Sequence, residues 1–122
     1  MDLALTPNNP DYTILVADRD GAGGIVGYVC YGPTPMTEGT YDLYWIASDP
    51  TVRGQGVGAS LISGMEGDMR RRGARIIRVK TSATEAYGPT RGFYASMKYK
   101  EESRFRDFYK AGDDLIVLAK RL

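Results

Sequence analysis

The first half of the chain alternates short apolar runs with segments of turn-forming residues. Residues 12–18 (YTILVAD) and 25–31 (IVGYVCY) are rich in β-branched and aromatic side chains, and the glycine-rich segment 19–24 (RDGAGG) separates them. Two such runs joined by a short turn are typical of a β-hairpin. Residues 40–48 (TYDLYWIAS) follow a proline-containing loop and predict a third strand.

Simple alternation along this third strand assigns its side chains to two faces. One face would carry Asp42, Tyr44, Ile46 and Ser48, and the other would carry Tyr41, Leu43, Trp45 and Ala47.

The spacing of apolar residues changes after the glycine-rich loop 53–58. Over residues 57–72 apolar side chains recur at every third or fourth position, which predicts an amphipathic helix. Gly73 stands where a helix commonly ends in the left-handed conformation. Residues 74–82 (ARIIRVKTS) predict the next strand, and the order strand, helix, strand implies a parallel pair.

The last part of the chain predicts a second helix and a closing hairpin. The helix is expected over 87–97, with Pro89 acceptable in its first turn. Residues 99–109 and 113–121 predict two strands joined by a tight turn. Residues 1–11, with two prolines and two asparagines, predict an irregular lead. We therefore expect one domain over all 122 residues.

Charge and composition exclude several classes of protein. Lys and Arg together number 16 and Asp and Glu 15, so nothing predicts a nucleic-acid partner. The chain has no histidine and one cysteine, which excludes disulfides, the usual zinc sites and nucleophiles activated by histidine. Cys30 lies in an apolar run and is expected to be a small core residue. No apolar stretch approaches membrane length, so we expect a cytoplasmic protein that does not bind a membrane.

The glycine-rich loop before the first helix is a candidate anion site. The unpaired N–H groups at the start of a helix, together with its dipole, bind phosphates, and glycines let a ligand approach the backbone closely. Arg53 could add a positive charge. Neither the Walker pattern nor the dinucleotide fingerprint matches RGQGVG in residues and position. A plain tight turn remains the alternative.

Two segments carry a family resemblance. Residues 53–58 (RGQGVG) resemble the acetyl-CoA loop of the GNAT superfamily of N-acetyltransferases, whose pattern is Arg/Gln-x-x-Gly-x-Gly/Ala. Residues 92–99 (GFYASMKY) are similar to the family's Phe-Tyr-x-x-x-Gly-Phe segment. The resemblance covers about residues 11–122. It implies an α/β (α+β) fold with a mixed, mostly antiparallel sheet, one splayed parallel strand pair and helices packed on it, here without the usual first strand and N-terminal helices.

The resemblance implies acetyl-CoA as co-substrate, an amine as acceptor and no metal. In the family the loop amides hold the pyrophosphate of CoA, and the splayed strand bonds the pantetheine arm through its main chain. In this sequence, the residues that match the family's pyrophosphate loop are Arg53, Gly54, Gln55, Gly56, Val57, Gly58 and Ala59. The main-chain positions for pantetheine are Ile46, Ala47 and Ser48.

Two side chains are candidates for proton transfer. Tyr94 matches the tyrosine that family members commonly use as the acid facing the CoA sulfur, although it could equally be a core aromatic residue. Asp42 matches a strand position where some members carry a glutamate base, although it could equally be a partnered or edge-exposed acid. A backbone N–H near Ala47 would then bind the oxyanion.

The chain also departs from the family's pattern. Lys98 replaces the glycine usual at the end of the second helix, where a left-handed lysine costs about 1 kcal/mol. The short N-terminus leaves part of the acceptor wall unbuilt, so we expect a homodimer or a companion domain to cover it. Residues 31–42 are expected to line the acceptor entrance. An N-acetyltransferase is the leading hypothesis, and a non-catalytic CoA-binding or interaction module is the alternative.

Overall fold

One seven-stranded sheet and two helices make up the part of the chain that the structure describes. The computed structural model describes residues 2–6, 9–19, 24–52 and 54–122. The strands and helices are β1 (Asp2–Leu5), β2 (Thr13–Asp18), β3 (Ile25–Pro33), β4 (Thr40–Ser48), α1 (Val57–Arg71), β5 (Ile76–Ser82), α2 (Gly88–Ser96), β6 (Lys100–Lys110) and β7 (Asp113–Arg121). Short 3₁₀ turns at Pro50–Val52 and Glu85–Tyr87 precede the two helices.

The strands follow the order β1-β2-β3-β4-β5-β7-β6 across the sheet. The β4–β5 pair is parallel, and the other five neighbouring pairs are antiparallel. This architecture confirms the expected mixed, mostly antiparallel sheet with one parallel pair. The predicted turn 19–24 lies for the most part outside the described residues, but a bond from the Arg19 amide to the Gly24 carbonyl closes the hairpin.

The helix ends agree with the sequence signals. Gly73 has a φ of 85° just after α1, and the Ala74 amide bonds back to the Met69 carbonyl over 2.9 Å. Lys98 has a φ of 75° just after α2, so a lysine adopts the left-handed conformation at the position where the family usually has a glycine. Pro89 lies in the first turn of α2, as predicted.

The expectation of an irregular lead and a missing first strand is wrong. Residues Asp2–Leu5 form β1, an edge strand paired antiparallel with β2 from Asp2↔Asp18 to Leu5↔Leu15. This strand depends on tertiary contacts rather than on propensity, since DLAL holds no β-branched residue. Leu3 packs over Gly64 of α1, where an added Cβ would lie 2.6 Å from the Leu3 Cδ1.

Simple alternation along β4 is also wrong, because the strand contains a β-bulge. Cys30 of β3 pairs with Trp45, but the next residue, Tyr31, pairs with Leu43, so Tyr44 is the extra residue. The bulge resets the faces of the strand. Leu43 is buried before it and Ile46 packs on the core after it, whereas Tyr44 and Trp45 are both exposed.

The core lies on the face of the sheet that α1 covers. The α1 side chains that are wholly buried there are Leu61, Ile62, Met65 and Met69. Tyr94 of α2 belongs to the same core cluster. On the other face, Ile14, Cys30 and Trp45 stand side by side in the register of β2, β3 and β4.

Two buried carboxylates on α1 fix the helix to the sheet. Asp68 accepts a 2.8 Å hydrogen bond from the hydroxyl of Tyr31 on β3. Glu66 accepts a 2.8 Å hydrogen bond from the Tyr99 hydroxyl and forms a 3.0 Å ion pair with Lys120 on β7. Burying these charges is tolerable because each carboxylate has hydrogen-bond donors.

Removing either tyrosine hydroxyl should destabilise the fold. We expect Tyr31→Phe and Tyr99→Phe each to lower the free energy of unfolding by about 1–3 kcal/mol, because each leaves a buried carboxylate short of a donor. Urea denaturation followed by circular dichroism measures this. Tyr109→Phe, at an exposed position, is the control and should stay within about 0.5 kcal/mol of the wild type. Equal stability of all three variants would contradict the assignment.

Candidate active site

A cleft opens where β4 and β5 separate. The two strands pair only from Thr40↔Ile76 to Leu43↔Val79, and their pairing stops at the residue before the bulge at Tyr44. The splay expected from the family resemblance is therefore present. The cleft has a volume of about 470 Å³. Its lining includes Tyr44, Trp45 and Ile46 of β4, Lys80 and Ser82 of β5, Tyr87, Thr90 and Tyr94 near or in α2, Tyr109 of β6 and Asp113 of β7.

The glycine-rich loop ends at the N-terminus of α1 with its backbone open. Gly54 and Gly56 both have a φ of 79°, and no atom lies within 4 Å of the place where a Cβ would stand on either. The first helical bond runs from the Ser60 amide to the Gly56 carbonyl, which leaves the amides of residues 57–59 outside the helical pattern. No side chain caps this end, and its first turn holds no acidic residue.

These free amides and the helix dipole make the loop a suitable site for a phosphate group. The proposed pyrophosphate contacts from Gly54 to Ala59 thus lie together in space. Arg53, which was expected to add a charge, lies outside the described residues.

The second helix packs directly against this loop. A Cβ added to Gly58 would lie 3.2 Å from the ring of Phe93 on α2. Phe93 also contacts Tyr94, with ring centroids 5.4 Å apart. The start of α1 and the helix that carries Tyr94 are therefore in contact.

Tyr94 lies in the wall of the cleft and is otherwise buried. Its side chain is 4% exposed and packs on the Tyr99 ring, with centroids 5.8 Å apart. Burial alone raises the pKa of Tyr94 to about 12, and no charge or hydrogen bond contributes. The phenol is consequently protonated at neutral pH and can donate a proton into the cleft.

The three β4 positions assigned to main-chain contacts divide between two spaces. Ile46 lines the cleft itself. Ala47 and Ser48 line a neighbouring depression of about 230 Å³ that also includes Asp49, next to the 3₁₀ turn and the glycine loop. Along the chain, these positions run from the cleft toward the 3₁₀ turn that precedes the glycine loop.

Asp42 is placed differently from Tyr94. It lies in the paired part of β4, opposite Arg78 of β5, and is not part of the cleft lining. Its Oδ1 accepts a 2.7 Å bond from Arg78 Nε, and its Oδ2 accepts bonds from Arg78 Nη2 at 3.1 Å and the Thr34 hydroxyl at 2.8 Å. The Asp42 hydrogen bond in turn raises the pKa of Arg78. Both carboxylate oxygens are thus engaged in a structural pair.

Several cleft residues were not found from the sequence. Asp113 begins β7 and accepts a hydrogen bond from Ser82 at the end of β5, so the two meet only because these strands are neighbours. Tyr109 enters from the edge strand β6. No residue of 31–42, the stretch expected at the acceptor entrance, lines the cleft. That stretch ends where β4 still pairs with β5, away from the splayed half.

Comparisons with known proteins agree with this geometry. Residues 10–101 match the family model of the acetyltransferase (GNAT) domain. A crystal structure of a protein from Desulfovibrio desulfuricans, assigned to the GNAT family, is 41% identical with a TM-score of 0.88, over 91% of this chain and 69% of that one. None of the curated proteins compared with the chain matches it.

The chain belongs to the GNAT family of acetyltransferases. A ribosomal-protein-alanine N-acetyltransferase from Brucella melitensis is 25% identical, with a TM-score of 0.74 over 91% of this chain and 69% of that one. An aminoglycoside 6′-N-acetyltransferase complexed with coenzyme A has a TM-score of 0.77 over 93% of this chain and 74% of that one. Its identity of 20% shows a shared fold only.

Within 2–6, 9–19, 24–52 and 54–122, no three Cys, Asp or Glu side chains come together as a metal site requires. Neither of the two described helices has the length and apolar character needed to span a membrane.

A double-mutant cycle tests the structural pair between Asp42 and Arg78. We expect Asp42→Asn to lower the free energy of unfolding by about 1–3 kcal/mol, because Arg78 and Thr34 lose their charged acceptor. Arg78→Gln should cost at least as much, because it leaves the buried Asp42 carboxylate without its charged donor. The double variant, measured by urea denaturation, should show a coupling of at least about 0.5 kcal/mol. Strictly additive effects would exclude the pair as a stabilising contact.

Proposed function

We propose that this chain is an acetyl-CoA-dependent N-acetyltransferase that moves an acetyl group to a primary amine by direct transfer. One observation carries the proposal: a buried, protonated tyrosine lines the cleft between β4 and β5, and an uncapped helix N-terminus packs against the helix that carries this tyrosine. The helix N-terminus suits the phosphates of the donor, and the tyrosine suits the departing thiolate. The family supports acetyl transfer in general.

Acetyl-CoA fits the residues that are present. The amides of residues 57–59 and the open loop around Gly54 and Gly56 would hold the pyrophosphate, and Arg53 would add a charge. The main chain of residues 46–48 would bond the pantetheine arm along the unpaired edge of β4. The bound donor supplies a thioester, whose carbonyl carbon is the electrophile.

The chain's own residues then handle the protons. The neutral amine forms the new C–N bond as the C–S bond breaks, and Tyr94 donates its proton to the thiolate of CoA. The proton that the amine loses passes to solvent, from which Tyr94 is reprotonated. A backbone N–H near Ala47 would bind the carbonyl oxygen as its charge develops.

The role of Asp42 as a base stays a prediction from the resemblance. Its ion pair with Arg78 supports a different role, in which the pair holds β4 and β5 together just before they separate. A base is dispensable if the acceptor amine enters the cleft already neutral.

The alternative function is a CoA-binding or interaction module without catalysis. The exposed aromatic residues Tyr44 and Trp45 favour it, because exposed rings suit contact with a partner surface as well as with a substrate. We propose that a second copy of the chain, in a homodimer, covers the acceptor side of the cleft. We also propose that the protein is cytoplasmic.

Charge reversal at the helix start tests the donor site. Ala59 is the third residue of α1, so Ala59→Asp should leave the fold intact or stabilise it by about 0.3–1 kcal/mol through the helix dipole. The same carboxylate should repel the pyrophosphate and weaken CoA binding by at least about tenfold, measured by calorimetry. Ala59→Asn is the matched control, with nearly the same shape and no charge. If both variants bind CoA like the wild type, the loop is only a turn.

Substitution of the proposed acid tests the chemistry. Tyr94→Phe should lower kcat about 10²–10⁴-fold while the KM for acetyl-CoA stays nearly constant. Because the pKa of Tyr94 is raised to about 12, the wild type should show no loss of its acid near pH 10, where an ordinary tyrosine would ionise. Thiol release across a panel of amines measures both effects. An inactive wild type that still binds CoA would favour the module.

A further inference from the structure

A second pocket lies on the face of the sheet that α1 does not cover. It has a volume of about 440 Å³, within the usual range of about 300–1,000 Å³ for small-molecule sites. The neighbouring side chains Ile14, Cys30 and Trp45, one from each of β2, β3 and β4, contribute to its lining. Asp11 and Tyr12, just before β2, and Tyr44 of the bulge complete it. Its walls are mainly apolar or aromatic.

This pocket adjoins the cleft of the proposed donor site. Tyr44 and Trp45 line both spaces, and both side chains are exposed, by 44% and 54%. The bulge at Tyr44 places these two consecutive aromatic residues between the two spaces. A ligand seated in the apolar pocket can therefore reach the cleft past the two rings.

Asp11 places one carboxylate in the lining of the apolar pocket, and the cleft on the other side of Tyr44 carries Lys80 and Asp113. Asp11 is the one charged residue among those lining the apolar pocket, and the described residues give it no ion-pair partner. Burial is the largest cause that raises the pKa of Tyr44, followed by the acidic groups of Asp42, Cys30 and Asp11 in that order, and Arg78 opposes the shift. The Asp11 carboxylate therefore acts at the phenol that divides the pocket from the cleft, where it favours an ammonium group.

We propose that the apolar pocket is the acceptor site and that the acceptor is a primary amine attached to an apolar or aromatic group. The apolar group lies between Tyr12 and Trp45, and the amino group is directed past Tyr44 into the cleft. Asp11 attracts the ammonium form of the ligand to the pocket, and the amine loses this proton to solvent before its nitrogen attacks the thioester. This inference rests on the proposed function, because it names the acceptor class of the same site.

The chemistry of the pocket disfavours highly polar acceptors. A polyamine or an aminoglycoside carries several charges and hydroxyl groups, each of which needs a partner when it leaves water. The pocket offers one carboxylate and otherwise mainly aromatic and aliphatic walls, which suit a ring stacked on an aromatic residue. A second copy of the chain seated on the same face is the competing occupant.

Trp45 is the only tryptophan in the chain, so its fluorescence reports occupancy of the pocket without any need for turnover. We expect 2-phenylethylamine to change the emission saturably and to bind at least about tenfold more tightly than putrescine, which has the charge but no ring. 2-Phenylethanol, with the ring but no charge, should bind more weakly than the amine. Asp11→Asn should weaken the amine about three- to tenfold and leave 2-phenylethanol unchanged. Glu38 lines neither space, so Glu38→Gln is the matched control for the loss of one carboxylate elsewhere on the protein.

Two results would overturn the inference. The first is putrescine binding as tightly as 2-phenylethylamine, or no emission change with either amine. The second is a dimer, found by analytical ultracentrifugation, in which Trp45 is shielded from acrylamide quenching and becomes accessible on dilution. Calorimetry with CoA on the same sample separates the two proposals. If CoA does not bind, the proposed function is wrong. If CoA binds normally but the Trp45 emission does not distinguish 2-phenylethylamine from putrescine, only the proposed acceptor class is wrong.

Discussion

The separation of β4 from β5 after Leu43 is the constraint on which the rest of the site depends. Parallel strands normally continue side by side, but the bulge at Tyr44 turns β4 while β5 goes on pairing with β7 through Ser82. The unpaired edge of β4, the cleft and the aromatic passage are all results of that one extra residue. The Asp42–Arg78 pair lies immediately before the separation and is suited to keep the two strands joined up to that point.

The position of the glycine-rich loop depends on how α1 is fixed. A helix N-terminus is useful to a ligand only if the helix cannot slide, and α1 is held along its length by different contacts. Gly64 admits Leu3 of β1, while Glu66 and Asp68 take bonds from Tyr99 and Tyr31 on separate parts of the fold. These polar contacts fix the position of α1 along the sheet. Burial of its methionine and leucine side chains alone would define that position less well.

The sequence predicted features that are determined locally. The glycine loop, the helix ends at Gly73 and Lys98, and the strand pattern of the closing hairpin all have signals within a few residues, and the structure agrees with them. It could not predict β1, because that strand is held by contacts with β2 and α1 rather than by its own propensity. The bulge was missed because nothing in TYDLYWIAS marks the register of β3 against it. Asp113 was missed because only the strand order brings it to Ser82.

The contact between Gly58 and Phe93 links two segments that lie far apart in the sequence. The Phe93 ring lies 3.2 Å from the place where a Cβ on Gly58 would stand, so even an alanine there would require the ring to shift by a few tenths of an ångström. The width of the loop and the position of the ring on α2 are therefore coupled. A substitution in either segment changes the space that is left for the other.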